Sequence, residues 1–109
     1  MKKLLSFVLI TGFLFLSAVI SAEEGESIFK SNGCRVCHKP DTSSRGRPSL
    51  KEISQAYHGK EKQLDAYFKG ESEPIITPAK ASTMKRYIEK TKALSDPDRK
   101  VLVDYILRH

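Results

Sequence analysis

The sequence predicts an all-α fold, a single small domain of about four to five short helices, and three observations lead to it. Apolar residues recur at helical spacing in several separate segments. No segment alternates polar and apolar residues for long enough to form a strand. The length of 109 residues leaves room for one domain.

Lys2 and Lys3 precede an uncharged run from Leu4 to Ser21, rich in Leu, Phe, Val and Ile, that ends in Ser21-Ala22 before Glu23 and Glu24. This is the layout of a secretory signal peptide cleaved after Ala22, which assigns residues 1–22 to a leader and 23–109 to the domain. The alternative is a retained anchor. Eighteen uncharged residues at about 1.5 Å each approach the roughly 30 Å hydrocarbon core, and Ile20 is bulkier than a cleavage site prefers. The expected location is therefore the periplasm, with attachment to the outer face of the inner membrane through residues 4–21 as the alternative.

In the domain, Ile28 and Phe29 lie on one face of a short helix over Glu24 to Asn32, with Glu24 and Glu26 in its first turn and Gly33 as its stop. Residues Lys39 to Arg47 hold Pro40, Asp41, Ser43, Ser44 and Gly46 and read as a loop. Ser49 and Glu52 form a capping box, after which Leu50, Ile53 and Tyr57 repeat at helical spacing until Gly59. Lys60 to Lys69 carries Leu64, Tyr67 and Phe68 at i, i+3 and i+4, and Gly70 ends it. Glu71 to Met84 reads as irregular, with Thr77-Pro78 able to open a short helix as N-cap and first residue. Ser95-Asp96-Pro97-Asp98 starts a last helix whose Val101, Leu102, Tyr105 and Ile106 share one face.

Between the first two helices stands Cys34-Arg35-Val36-Cys37-His38, which contains every cysteine of the chain. The C-x-x-C-H pattern is that of c-type haem attachment. Two thiols three residues apart on one turn can add to the two vinyl groups of a haem, and the next residue then lies under the iron, so His38 is the expected proximal ligand through Nε2. Other readings exist. A thioredoxin-like redox pair needs a βαβ unit that the sequence lacks. A structural zinc site would have to take in His58 and His109 at a spacing unlike zinc motifs. A plain disulfide leaves His38 unexplained.

The second axial position decides what such a haem does. Met1 belongs to the leader, which makes Met84 the one methionine able to reach the iron, with His58 and His109 as rivals. An isolated methionine is also an ordinary gap filler in a core. With two protein ligands the haem is mainly an electron carrier, whereas an open sixth position suits an enzyme or a gas sensor. The formal charge of +6 falls to +4 without Lys2 and Lys3, and two propionates bring it to about +2. Such mild basicity, without a long Lys/Arg run, argues against a nucleic-acid partner.

With the haem motif, a later Met84 and helices at both ends, the chain resembles the class I c-type cytochromes over nearly its whole length. Pro48-Ser49-Leu50, Ala56-Tyr57, Pro78-Ala79-Lys80, Met84-Lys85 and Lys92-Ala93-Leu94-Ser95-Asp96 are similar to the small cytochrome c-555 group. The resemblance implies a cytochrome c-like domain around one haem c, covalently held by Cys34 and Cys37 with His38 and Met84 as axial ligands. It implies packing of the first helix on the last at Gly25, Phe29 and Tyr105. It also implies that the carbonyl of Pro48 accepts a hydrogen bond from His38. The family commonly has glycine before that proline, and this chain has Arg47. Either the turn is altered or Arg47 reaches toward a propionate. The expected function is single-electron transfer, not enzymatic turnover, with a basic rim of Arg35, Lys39, Lys80, Lys85 and Arg86 steering acidic redox partners.

Overall fold

The structure, a computed structural model, describes residues 22–44 and 46–109. The leader expectation, apart from Ala22, lies outside the described residues. No described helix is long and apolar enough to cross a membrane.

The described fold is all-α, as expected, with five α-helices and two 3₁₀ turns. Helix α1 covers residues 22–31, α2 Leu50–Ala56, α3 Glu61–Phe68, α4 Ala81–Lys92 and α5 Asp96–Leu107. The 3₁₀ turns are Cys34–Val36 and Pro78–Lys80. Local chemistry starts and stops most of these. Ser49 accepts the Glu52 backbone N–H at 3.1 Å, and Ser95 accepts that of Asp98 at 3.2 Å, so each serine satisfies a first-turn donor that the helix leaves free. Gly33 (φ 79°) ends α1 and Gly70 (φ 74°) follows α3, both in the left-handed region where a Cβ is costly.

Helix α5 is the centre of the packing and lies against α2 and α3, while α4 lies against α3 and the Pro78–Lys80 turn. The core comprises Phe29, Leu50, Tyr57, Leu64, Phe68, Ile88, Leu102, Val103 and Ile106. Each fully buried leucine contributes about 1.5–3 kcal/mol through apolar burial. Helix α1 crosses α5 where Gly25 leaves no room for a side chain. A Cβ there would lie 2.9 Å from the Val101 carbonyl oxygen and closer still to Tyr105 Cβ. The Phe29 and Tyr105 rings meet beside it with centroids 5.5 Å apart.

Buried polar groups tie the helices together. Ser54 Oγ donates to the Leu107 carbonyl at 3.0 Å, joining α2 to α5. Thr91 Oγ1 donates to the Phe68 carbonyl at 2.7 Å, joining α4 to α3. Arg99, 3% exposed, sends Nε to Asp65 Oδ1 and Nη1 to the Leu94 carbonyl, each at 2.9 Å, and Nη2 to Asp96.

The segment after Gly70 departs from the sequence expectation in two ways. Met84 is not in an irregular stretch but in the first turn of α4. Its neighbours on the buried side are Tyr87, Ile88 and Thr91, spaced i+3, i+4 and i+7 from it. The short helix at Pro78 is present as a 3₁₀ turn, yet the Thr77 side chain does not cap it; Thr77 instead adopts φ 42°, left-handed and costly for a β-branched residue.

Candidate cofactor site

The site begins where α1 stops. Gly33 turns the chain, and the Cys37 and His38 backbone N–H groups both donate to the Cys34 carbonyl, at 3.3 and 3.0 Å. This compact turn leaves Cys34, Cys37 and His38 half-buried and sends Arg35 and Val36 outward, Val36 to 70% exposure. The following loop folds back beneath it: Leu50 N donates to the Lys39 carbonyl at 2.8 Å and Lys51 N to that of Pro40 at 3.1 Å. Pro48 is thereby brought under the imidazole, with its carbonyl oxygen 2.8 Å from His38 Nδ1. A carbonyl only accepts, so Nδ1 carries the proton and Nε2 keeps its lone pair.

Glycine does not precede Pro48, but it is only one residue further away. Gly46 (φ 67°) makes the turn across which Ser44 and Arg47 exchange two backbone hydrogen bonds, of 3.2 and 2.7 Å. The turn is altered in register, and Arg47 becomes a lining residue of the adjoining cavity.

That cavity has a volume of about 360 Å³, within the usual range for ligand sites. Cys34, Cys37, His38 and Pro48 line it from the segment that follows α1, and Thr77, Lys80, Met84 and Tyr87 from the Pro78–Lys80 turn and α4. Phe29, Ile53, Tyr57, Leu64, Phe68 and Ile106 supply apolar surface from the core. Burial pushes the Tyr67 hydroxyl up to about 12, and Tyr57 also rises through burial while its hydroxyl accepts the Ile75 N–H at 3.3 Å. Among the expected residues, Cys34, Cys37, His38, Pro48 and Met84 all line this one cavity. His58 and His109 do not. His58 is exposed beyond α2, and the His109 ring packs edge-on against Tyr105 with Nδ1 3.0 Å from the Tyr105 carbonyl.

The cavity's chemistry fits a large apolar macrocycle bearing carboxylates. Its charged lining residues, Arg47, Lys80 and Arg86, are all cationic, and no Asp or Glu is among its described lining residues. Zinc and redox roles fit worse. Burial pushes the Cys34 thiol up to about 11, whereas a metal-binding or redox-active cysteine works as a thiolate. Cys34 and Cys37 are unpaired, and no metal-binding cluster of three or more His, Cys, Asp or Glu occurs among the described residues.

The profile of the family described as cytochrome c matches residues 22–109. The chain belongs to the cytochrome c family. It is similar to the cytochrome c-551 of Stutzerimonas stutzeri, with 38% identity over 65 residues that cover 60% of this chain and 62% of that protein. It is also similar to the cytochrome c-551 of Azotobacter vinelandii, with 28% identity over 90 residues that cover 80% and 99%. The chain thus spans less than two thirds of the first relative's length and nearly all of the second's. Family membership brings one covalently bound haem c.

Tyr87 and the rest of the α4 face were missed by sequence reasoning. The i, i+3, i+4, i+7 spacing of Met84, Tyr87, Ile88 and Thr91 was the available signal, obscured by the lysines and arginine between them. Of the expected rim, Lys80 and Arg86 line the cavity, whereas Arg35, Lys39 and Lys85 are exposed outside it. Lys90 joins the rim: it and Arg86 both sit over the Tyr87 ring, at 5.5 and 5.0 Å from its centroid.

Proposed function

We propose that the protein is a one-electron carrier in which Cys34 and Cys37 hold the haem covalently, His38 Nε2 and the Met84 sulfur are its axial ligands, and Pro48 orients His38. The observation that supports this most directly is that Met84 shares a cavity with Cys34, Cys37 and His38 while His58 and His109 lie elsewhere. The haem supplies the one-electron couple of its iron. The chain does the rest. The Pro48 carbonyl holds the imidazole in one tautomer and strengthens Nε2 as a donor. The Met84 thioether, a soft ligand, favours the ferrous form and raises the potential. The apolar lining excludes water and disfavours net charge at the site.

The leader over residues 1–22 directs the chain to the periplasm, or anchors it there through residues 4–21 if uncleaved. The mildly basic domain, with Arg35, Lys39, Lys80, Lys85, Arg86 and Lys90 near the haem wall, meets acidic redox partners in weak, transient encounters.

Periplasmic expression followed by intact mass and a visible spectrum tests this. The expected result is one covalent haem on a chain that starts at Glu23 and shows a far-red methionine-to-iron band when oxidised. A missing band together with rapid carbon monoxide binding by the reduced protein overturns the carrier reading in favour of an open-site enzyme or sensor.

A further inference from the structure

Helix α4 carries Met84 in its first turn, and its two halves are held to the rest of the molecule by different means. The C-terminal half is docked. Thr91 Oγ1 donates to the Phe68 carbonyl at 2.7 Å, and a Cβ at Gly70 would stand 3.6 Å from Ile88 Cγ2. Ile88 and Thr91 are both buried. The N-terminal half has no such bond. Among the described residues, no hydrogen bond joins residues 81–87 to any segment except the Pro78–Lys80 turn that leads into the helix.

A ring bridges the gap instead. Tyr87 lies one turn after Met84 on the same face of α4, and a helical side chain covers the turn N-terminal to its own Cα, here the turn that carries Met84. A Cβ at Gly33 would stand 3.5 Å from Tyr87 Cε1, which puts the ring next to the backbone just before Cys34. That backbone is firmly built, since the Cys37 and His38 N–H groups both donate to the Cys34 carbonyl. The Tyr87 ring thus joins the helix of Met84 directly to the turn of His38.

Two cations restrain the ring on its solvent side. Arg86 Cζ and Lys90 Nζ stand 5.0 and 5.5 Å from its centroid, and Arg86 Nη2 donates to the Tyr87 hydroxyl at 3.2 Å. Both cations are exposed, whereas Tyr87 is half-buried. Lys80, ahead of the helix, also lays its methylenes against Gly46, but that stem is long and flexible and the tyrosine ring is stiff. We propose that Tyr87 is a positioning residue for Met84: its ring, seated at Gly33 and restrained by Arg86 and Lys90, holds down the first turns of α4 and sets how often Met84 leaves the iron. The proposal rests on the ligation by His38 and Met84 set out above.

The test is the kinetics of imidazole binding to the haem-loaded ferric protein. Imidazole takes the sixth position only after Met84 has left it, so the observed rate rises with imidazole concentration and levels off at the release rate of Met84. Tyr87→Ala is expected to raise that plateau about tenfold, with the far-red band intact before imidazole is added. Tyr87→Phe keeps the ring and the parent plateau. Arg86→Gln and Lys90→Gln each raise it by about two- to threefold. Leu102→Ala, a fully buried core position outside the cavity lining, leaves the plateau in place although it destabilises the fold more. If Tyr87→Ala leaves the plateau at the parent value, or raises only the slope at low imidazole, the ring does no more than cover an entrance and the positioning role is overturned. An equal rise in Leu102→Ala overturns it too, because general loosening then accounts for the effect. In both cases the Met84 assignment stands. If the parent protein lacks the far-red band, the ligand assignment fails and takes the role of Tyr87 with it.

Discussion

The frame around α5 and the cavity beside it are built from the same short helices by opposite rules. In the frame the protein completes its own interactions: Arg99 has three partners, Ser54 and Thr91 each reach a carbonyl on another helix, and Gly25 lets α1 approach the α5 backbone. In the cavity the key groups face inward without completing one another. His38 is paired at Nδ1, which leaves Nε2 available, and Met84 is half-buried against the same space. The comparison teaches that stability and function are separable here. Substitutions in the frame should change the unfolding free energy and spare the spectrum, and substitutions in the cavity should do the reverse.

The largest loss of stability is expected from Leu102→Ala. This side chain is fully buried, and its truncation should cost about 4 kcal/mol in denaturant unfolding, with the far-red band unchanged. Arg99→Ala comes next, at about 3 kcal/mol. It leaves Asp65 with only Lys69 as a partner, at 3.4 Å, and frees the Leu94 carbonyl, and Asp65 is itself partly solvated, which holds the cost at the lower end for a broken buried pair. Neither variant should shift the potential appreciably; a shift would mean that frame and cavity are coupled.

Met84→Ala reverses the pattern. The expected stability loss is no more than about 2 kcal/mol for a half-buried methionine. The far-red band should vanish, the reduced protein should bind carbon monoxide, and the potential should fall by a sizeable part of the roughly 0.8 V that axial ligands span. Retention of the band would mean that it does not report ligation by Met84.

The smallest effect is an alkaline one. Burial raises the Tyr67 hydroxyl to about 12 in the folded chain, against about 10 when unfolded. Below pH 10 the residue is neutral in both states and contributes no pH dependence. Between about pH 10 and 12 the unfolded chain has released a proton that the folded one retains, so stability falls as pH rises. Tyr67→Phe should flatten this arm of the profile, measured by denaturant midpoints on the two proteins. It should not abolish the slope, because Tyr57 and Tyr105 are also raised by burial.

Features governed by neighbouring residues were legible in the sequence. The caps at Ser49 and Ser95 and the stops at Gly33 and Gly70 follow from which side chains satisfy or interrupt a backbone within a few positions. Features governed by distant residues were not. Helix α4 is polar over most of its surface, and its buried stripe becomes visible as one only where α3 meets Ile88 and Thr91. Arg99 is 3% exposed in the fold, and nothing near it in the sequence signals this, because its partner Asp65 lies 34 positions away in the chain. Thr77 reads as a cap and instead bends the chain through the left-handed region.

The haem motif shows the same division. By itself the sequence determined the all-α class, the two thiols and imidazole of Cys34-Arg35-Val36-Cys37-His38, and the short list of second-ligand candidates, because spacing along one turn is a local property. Which candidate shares the cavity was decided by tertiary packing. Thr91 docks α4 on α3 and turns the Met84 end of that helix toward His38, while the packing of His109 on Tyr105 keeps the terminal histidine on the far helix.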